Sequence, residues 1–241
     1  MRDIEVIALE LMLADLEQVE KRLARVKKER SPVTDEVTAL EKLKAALDDG
    51  VNAREVALVV AAAEAVKGLR LLTAKKVIYA ANVADEDLAD GNAMSKEVVA
   101  FAEKEGAQTV IVSAQVEAEL SELDEADTDE FLESLGVEPK SRGLPVLVRA
   151  AYDTLGLRTY FTSGPTETRA WTIRKGMLAP QAAGVIHDDF ERGFIASETI
   201  AYDELVEAGS EKAAKEAGKM RSEGKTYEVQ DGDVCLFRFN V

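Results

Sequence analysis

The sequence predicts two kinds of fold in tandem: an α/β portion that carries a pair of long helices, then an α+β portion of the β-grasp, ubiquitin-like type. Three observations predict it. Residues 3–29 hold Ile4, Ile7, Leu11, Leu16, Val19, Leu23 and Val26 at three- and four-residue spacing, the stripe of a long amphipathic helix. Residues 76–82 and 109–113 are short apolar runs on either side of a helical stretch at 95–105. That is the strand–helix–strand order of a parallel βαβ unit. Beyond Gly156 the pattern turns to short strands around one packed helix, which suits a β-grasp.

Taken in order, Ser31-Pro32 ends the first helix, because the residue before a proline is pushed out of the α region. Thr34 can cap a second helix with Val37, Leu40, Leu43 and Leu47 as its stripe and Asp48-Asp49-Gly50 as its stop. Asn52 can cap a third over residues 53–69. Two charged helices joined by a short break predict an antiparallel, coiled-coil-like pair, either a projecting arm or a plain helical subdomain. Residues 114–133 read as acidic helix with a break near 124–129, and 144–155 as another helix. Strands are expected at 159–162, 168–173, 194–202, 225–229 and 234–240, with short helices around 179–183, 203–207 and 211–221. Asp231-Gly232-Asp233 carries the Asp-Gly signal of a hairpin turn.

The formal charge of −16 argues against general nucleic-acid binding, and no DNA partner is expected. Residues 1–156 hold 19 Lys and Arg against 32 Asp and Glu; residues 157–241 hold 11 against 14. An RNA-facing patch therefore belongs in the last third. The single cysteine, Cys235, allows no internal disulfide and fits a reducing compartment. No apolar run reaches the ~18–20 residues of a membrane span, and residue 1 onward lacks the pattern of a signal or transit peptide. A cytoplasmic, monomeric protein with no membrane partner is expected.

Residues 164–194 read G-P-T-E-T-R-A-W-T-I-R-K-G-M-L-A-P-Q-A-A-G-V-I-H-D-D-F-E-R-G-F and hold the only Trp and the only His. This run resembles the TGS domain that closes the YchF (Obg-like ATPase) proteins, a branch of the P-loop GTPases. The resemblance extends over all 241 residues, most strongly from 160 to 241 and more weakly over the helical arm. It implies a partial P-loop NTPase α/β domain with an inserted antiparallel helical arm and a C-terminal TGS domain. Residues 1–15 would be a remnant of the nucleotide-binding domain, 16–70 the arm, 71–156 the rest of that domain, and 157–241 the TGS domain. It further implies an ATP-binding and ATP-hydrolysing protein of the ribosome, active in translation or stress regulation. ATP (GTP as the alternative) and Mg²⁺ would be its cofactors, and the ribosome, through RNA or protein, its partner. The alternative is a non-enzymatic scaffold that binds ribosome, RNA or protein through the TGS domain and arm.

In P-loop GTPases the strand-end motif N-K-x-D reads the base, beyond the carboxyl end of a parallel strand. This chain has Asn82-Val83-Ala84-Asp85, with Val83 in place of the Lys. The YchF family carries N-x-x-E, associated there with ATP; Asp85 restores the guanine-reading acid, so both purines stay open. Ser113-Ala114-Gln115 follows the next strand, where the resemblance places a loop that contacts the base. The expected base-binding set is thus Asn82, Val83, Asp85, Ser113 and Ala114. Read without the family, Ser113 simply caps a helix. No G-x-x-x-x-G-K-S/T occurs, Lys140-Ser141 lacks its glycines, and no D-x-x-G switch is found. The chain is therefore read as a YchF protein whose first segment is absent, with no catalytic residue, no metal site and little hydrolysis of its own.

Arg169, Arg174, Lys175 and Arg192 surround Trp171 and Phe190 in sequence, the mixture that can hold RNA or a partner. Trp171, Ile173, Phe190 and Phe194 read more simply as the core of a small domain. His187 before Asp188-Asp189 lacks a Cys partner and reads as structural rather than metal-binding. Gly164, Gly176, Gly184 and Gly193 read as turn residues, and Cys235, Phe237 and Phe239 alternate as a core strand.

Overall fold

A computed structural model describes residues 1–29, 33–138, 143–164 and 167–240. The chain forms two compact units, Met1–Leu147 and Val148–Val241.

The first unit opens with α1 (Arg2–Val26) and α2 (Thr34–Asp48). Val19, Leu23 and Val26 of α1 are buried with Ala39, Leu40, Leu43 and Leu47 of α2, so the predicted stripes meet along the second half of α1, whereas Ile7 and Leu11 of the same stripe are exposed. Ion pairs flank the seam: Glu20–Lys44, Arg22–Glu36 and Lys27–Glu41. The two exposed pairs, Glu20–Lys44 and Lys27–Glu41, are worth under about 1 kcal/mol each, while Glu36 is buried beside Arg22; the apolar seam supplies most of the association. The Ser31-Pro32 break lies outside the described residues. Thr34 is the first residue of α2 rather than its cap, a position held by extended Val33 with no side-chain bond.

The third helix departs from the expectation. Residues 53–69 form a 3₁₀ turn (Ala53–Glu55), an extended stretch, α3 (Val60–Val66) and a second 3₁₀ turn (Lys67–Leu69). The Asn52 amide donates to the Glu55 carboxylate at 2.7 Å instead of capping. Ala53 N–H goes to Thr73 Oγ1 and Arg54 N–H to the Thr73 carbonyl, both at 3.1 Å. Those bonds tie the segment to Thr73, and β-branched Val56, Val59 and Val60 do little to oppose it.

β1 (Ile78–Asn82), α4 (Ala93–Glu105) and β2 (Gln108–Val112) make the expected parallel unit, in register from Ile78↔Gln108 to Asn82↔Val112. Helix α4 begins earlier than the apolar pattern indicates because Asn92 and Ser95 form a reciprocal capping box. Tyr79 fixes β1 to α4 by an edge contact with Phe101 and a 2.7 Å bond to Glu105. α5 (Ala114–Leu120) and α6 (Glu125–Ser134) follow, with Asp124 capping the second. They bury Val116, Leu120 and Leu132 with Val83, Leu88 and Val137. The division between the units falls within α7 (Gly143–Leu155).

The second unit holds β3 (Leu157–Ser163), β4 (Thr168–Arg174), α8 (Ala179–Ile186), α9 (Asp188–Arg192), β5 (Phe194–Ala201), α10 (Tyr202–Ala208), α11 (Glu211–Glu216), β6 (Arg221–Glu223) and β7 (Asp233–Phe239). The sheet order is β4-β3-β7-β5-β6; β3 and β7 are parallel and the other pairs antiparallel. Ala179, Ala182 and Ala183 of α8 are fully buried against Tyr160, Ile173, Phe194, Val229, Cys235 and Phe237. Small side chains let the helix lie close, and Tyr160 Oη reaches the Ala182 carbonyl at 2.9 Å. On the opposite face Ile200 and Val234 pack with Ala214 of α11, flanked by Leu205 and Met220.

Three expectations fail in this unit. Residues 225–229 form no strand; their one β-bridge is Leu178↔Glu228, and they are held by the Ala179 N–H to the Tyr227 carbonyl at 2.8 Å, the Val229 N–H to the Met177 carbonyl at 3.1 Å and the burial of Val229. The strand is β6, where the expected helix 211–221 has already ended at Glu216. Asp231-Gly232 closes no hairpin, since β7 lies between β3 and β5. Instead the Asp231 carboxylate accepts Thr159 N–H at 2.7 Å, and Gly232 N–H donates to the Thr159 carbonyl at 2.8 Å. Trp171 and Phe190 are half-buried at the edge of the core, and Phe239 is exposed but stacks on Phe190 at 3.8 Å. Among the described residues no helix is long and apolar enough to cross a membrane.

Candidate functional site

The carboxyl ends of β1 and β2 lie side by side, because Asn82 and Val112 are register partners. From there the two following loops are bound to each other. Asn82 Oδ1 accepts the Ala114 N–H at 2.9 Å, and Val83 N–H donates to the Val112 carbonyl at 2.9 Å. Val83 turns inward to the Val116–Leu120–Leu132 cluster, which anchors the loop that carries Asp85. Asp85 opens a 3₁₀ turn and accepts the Glu86 N–H at 3.0 Å, leaving its carboxylate at the surface. Ser113 is buried and caps α5 through the Val116 N–H at 3.4 Å.

Each of the five residues thus takes a different place. Asn82, Ala114 and Asp85 are exposed, whereas Val83 and Ser113 are buried supports. The Ala114 N–H is already engaged by Asn82, so the ledge offers the Asn82 amide nitrogen and the Asp85 carboxylate outward. Among the described residues no group of three His, Cys, Asp or Glu side chains is placed to hold a metal ion.

In the second unit, strand alternation puts Arg169, Trp171 and Ile173 on one face of β4 and Arg174 on the other. The Arg169 guanidinium lies over the Trp171 ring at 4.3 Å, and Trp171 Nε1 donates to Thr162 Oγ1 at 2.9 Å. Arg174 and Lys175 have no ion-pair partner among the described residues. Arg192 pairs with Asp189 on α9. The four basic residues therefore do not form a single cluster. His187 is the cap of α9: its Nδ1 accepts the Asp189 N–H at 3.1 Å. That role needs one ring nitrogen and no metal.

A polar cluster here escaped the sequence reading. Tyr227 Oη donates to Asp233 Oδ2 at 2.7 Å, Gln230 N–H joins the same oxygen at 2.8 Å, and Arg221 reaches Tyr227 Oη at 3.1 Å. Burial, then the bond to Asp233, push the Tyr227 phenol up to about 12. Its members come from β6, β7 and the irregular stretch between them, so no local spacing announces it.

Comparison with known proteins bears on the whole arrangement. Residues 157–240 match the family YchF-GTPase_C, described as a protein of unknown function (DUF933). The chain is 48% identical over 245 residues to the ribosome-binding ATPase YchF of Bacillus subtilis (strain 168), covering 99% of this chain and 66% of that protein. The chain belongs to the YchF, Obg-like ATPase family. It is also 38% identical over 247 residues to Obg-like ATPase 1 of Oryza sativa subsp. japonica, covering all of this chain and 62% of that one. The Schizosaccharomyces pombe YchF GTPase superposes with a TM-score of 0.81 at 33% identity, over 98% of this chain and 65% of that chain. This YchF-family chain thus spans about two thirds of the length of such relatives, and its mixed α/β architecture is theirs.

Proposed function

We propose that this chain is the base-reading and docking portion of a YchF-type ATPase that works at the ribosome. The observation that carries the reading is the Asn82–Ala114 bond, which locks two loops at the ends of neighbouring parallel strands. Ligands of open parallel sheets bind at that edge. Asn82 and Ala114 would hold the wall, Val83 and Ser113 support it from beneath, and Asp85 accept hydrogen bonds from a purine. A carboxylate there suits the paired N–H donors of guanine, while the ATPase names of the relatives favour adenine.

The domain reading follows the same logic. Residues 16–70 would be the coiled-coil-like arm inserted into the nucleotide-binding domain, with 1–15 and 71–156 as parts of that domain. Residues 157–241 would be a β-grasp TGS domain that docks to ribosomal RNA or protein. Support comes from the α1–α2 seam and from a mixed sheet packed on one helix. The names of the bacterial relatives, ribosome-binding ATPases, point to the partner. ATP or GTP with Mg²⁺ would be the cofactors of the whole protein; among the described residues no His, Cys, Asp or Glu group fits the metal.

These 241 residues contain no phosphate-binding G-x-x-x-x-G-K-S/T loop. The second reading is a nucleotide-independent scaffold that docks through the arm and the TGS surface. Titration calorimetry with ATP and GTP, with and without Mg²⁺, should show weak binding; micromolar, Mg²⁺-dependent binding would refute it. Co-sedimentation with ribosomes separates the two readings: dependence on added nucleotide favours the first, indifference the scaffold.

A further inference from the structure

The first unit also contains a groove of about 640 Å³, away from the strand ends and without a role in the reading above. Its floor is aliphatic, made by Leu43 of α2, Val56 and Leu58 of the extended stretch, Val66 of α3, and Leu71. Its rim carries Arg54, Lys67, Arg70 and Lys75, against one lining carboxylate, Glu64. Lys67 pairs with Glu64 at 2.9 Å and Arg54 lies 3.6 Å from Glu105. Arg70 and Lys75 have no ion-pair partner among the described residues. Arg70 also sits in the left-handed region (φ 51°, ψ 44°), which a residue with a Cβ rarely adopts. Val59 and Val60, which follow Leu58, are 66% and 82% exposed.

We propose that this groove docks an acidic amphipathic helix of a partner protein. An aliphatic floor is filled by Leu, Ile or Phe anchors spaced along one helix face, the usual helix-in-groove mode. A net-positive rim then selects Asp and Glu beside those anchors. The chain as a whole is strongly acidic, yet at physiological salt charges beyond ~8 Å are largely screened. The local rim therefore decides the sign of the partner, and a basic helix is rejected. RNA is the less fitting occupant: among the described residues no aromatic side chain lines the groove, so bases would find no stacking platform. A phosphate backbone would also leave the aliphatic floor in water. This surface is independent of nucleotide reading at Asn82 and Asp85.

The test uses the full chain and a fluorescein-labelled synthetic peptide with leucines at i, i+3, i+4 and i+7 and glutamates between them. A twin peptide with lysines for the glutamates and an oligouridylate serve as comparisons. The acidic peptide should raise fluorescence anisotropy, and its affinity should fall about tenfold or more in a Lys67→Glu/Arg70→Glu/Lys75→Glu variant, since charge reversal at a rim opposes an acidic partner. Circular dichroism checks that the variant is folded; Lys75→Glu alone, with a smaller loss, covers the case in which it is not. Absence of binding, equal binding of the lysine peptide, unchanged affinity in the folded variant, or displacement of the acidic peptide by oligouridylate would each overturn the proposal.

Discussion

The Asp15 carboxylate and Thr73 are joined twice, through the Thr73 N–H and the Thr73 hydroxyl, both at 2.7 Å to Asp15 Oδ2. Its other oxygen accepts the Leu72 N–H at 2.7 Å. Thr73 in turn receives the Ala53 and Arg54 amides. One buried carboxylate on α1 therefore orders the chain on its approach to β1, the strand whose far end carries Asn82.

Asp15 is 1% exposed, so its removal strands the two buried Thr73 donors as well as the part-buried Leu72 amide. Asp15→Ala should lower unfolding stability by about 3 kcal/mol, the scale of losing charged hydrogen bonds while leaving buried donors unpaired. Asp15→Asn should cost somewhat less, because one acceptor oxygen survives. Urea denaturation measures both; a loss under about 0.5 kcal/mol in Asp15→Ala would show that the clamp is incidental.

Asp15 also shows where sequence reading stops. The stripes of α1 and α2 and the βαβ unit were legible because helical and strand periods are local properties. A lone Asp on a charged helix looks like solvated surface; only its pairing with a residue 58 positions away reveals the clamp. The same long-range tie undid the expected helix at 53–69. In the candidate site, the positions of Asn82 and Ser113 at strand ends were readable, but not that Asn82 would occupy the Ala114 amide. Gly193 follows α9 in a turn as expected, whereas Gly184 does not, and both meet close neighbours that no turn signal announces. Gly184 lies inside α8 against Glu191, and a Cβ on Gly193 would run into the Asn240 carbonyl. Such close approaches come from tertiary packing, which no local signal encodes.

Alkaline pH should probe two tyrosines. Tyr227 and Tyr79 are each raised to about 12, by burial first and then by donating to Asp233 and Glu105 respectively. Unfolded tyrosine titrates near ~10. Between about 10 and about 12 the unfolded chain loses these protons while the native chain keeps them, so stability present below pH ~10 drains away across that window. Melting temperature should therefore fall over this interval in the parent chain, and less steeply in Tyr227→Phe or Tyr79→Phe. Identical slopes in parent and variants would contradict the assignment.

Asn82→Ala removes the acceptor that holds the Ala114 N–H. A net bond of about 1 kcal/mol corresponds to roughly five- to tenfold protection against exchange. Hydrogen exchange at the Ala114 amide should accelerate by that factor, while amides within β2 stay near their parent rates. Any nucleotide affinity detected for the parent should fall alongside. An unchanged Ala114 rate would mean that the two loops are held by the Val83–Val112 bond and core packing alone.

The two faces of β4 give the last prediction. Arg169 is committed to the Trp171 ring, a contact worth about 0.5–1 kcal/mol at a partly exposed site, and Trp171 is itself tied to Thr162. Arg174 and Lys175 lie at the end of the strand without ion-pair partners among the described residues, which leaves their charge available to phosphate. A flat RNA surface cannot touch both faces of one strand. If the second unit docks to the ribosome by charge, Arg174→Glu/Lys175→Glu should sharply reduce co-sedimentation, and Arg169→Glu should reduce it little while shifting the emission of the single tryptophan. The reverse ranking would place the contact on the Trp171 face and make the cation–π pair part of the docking surface.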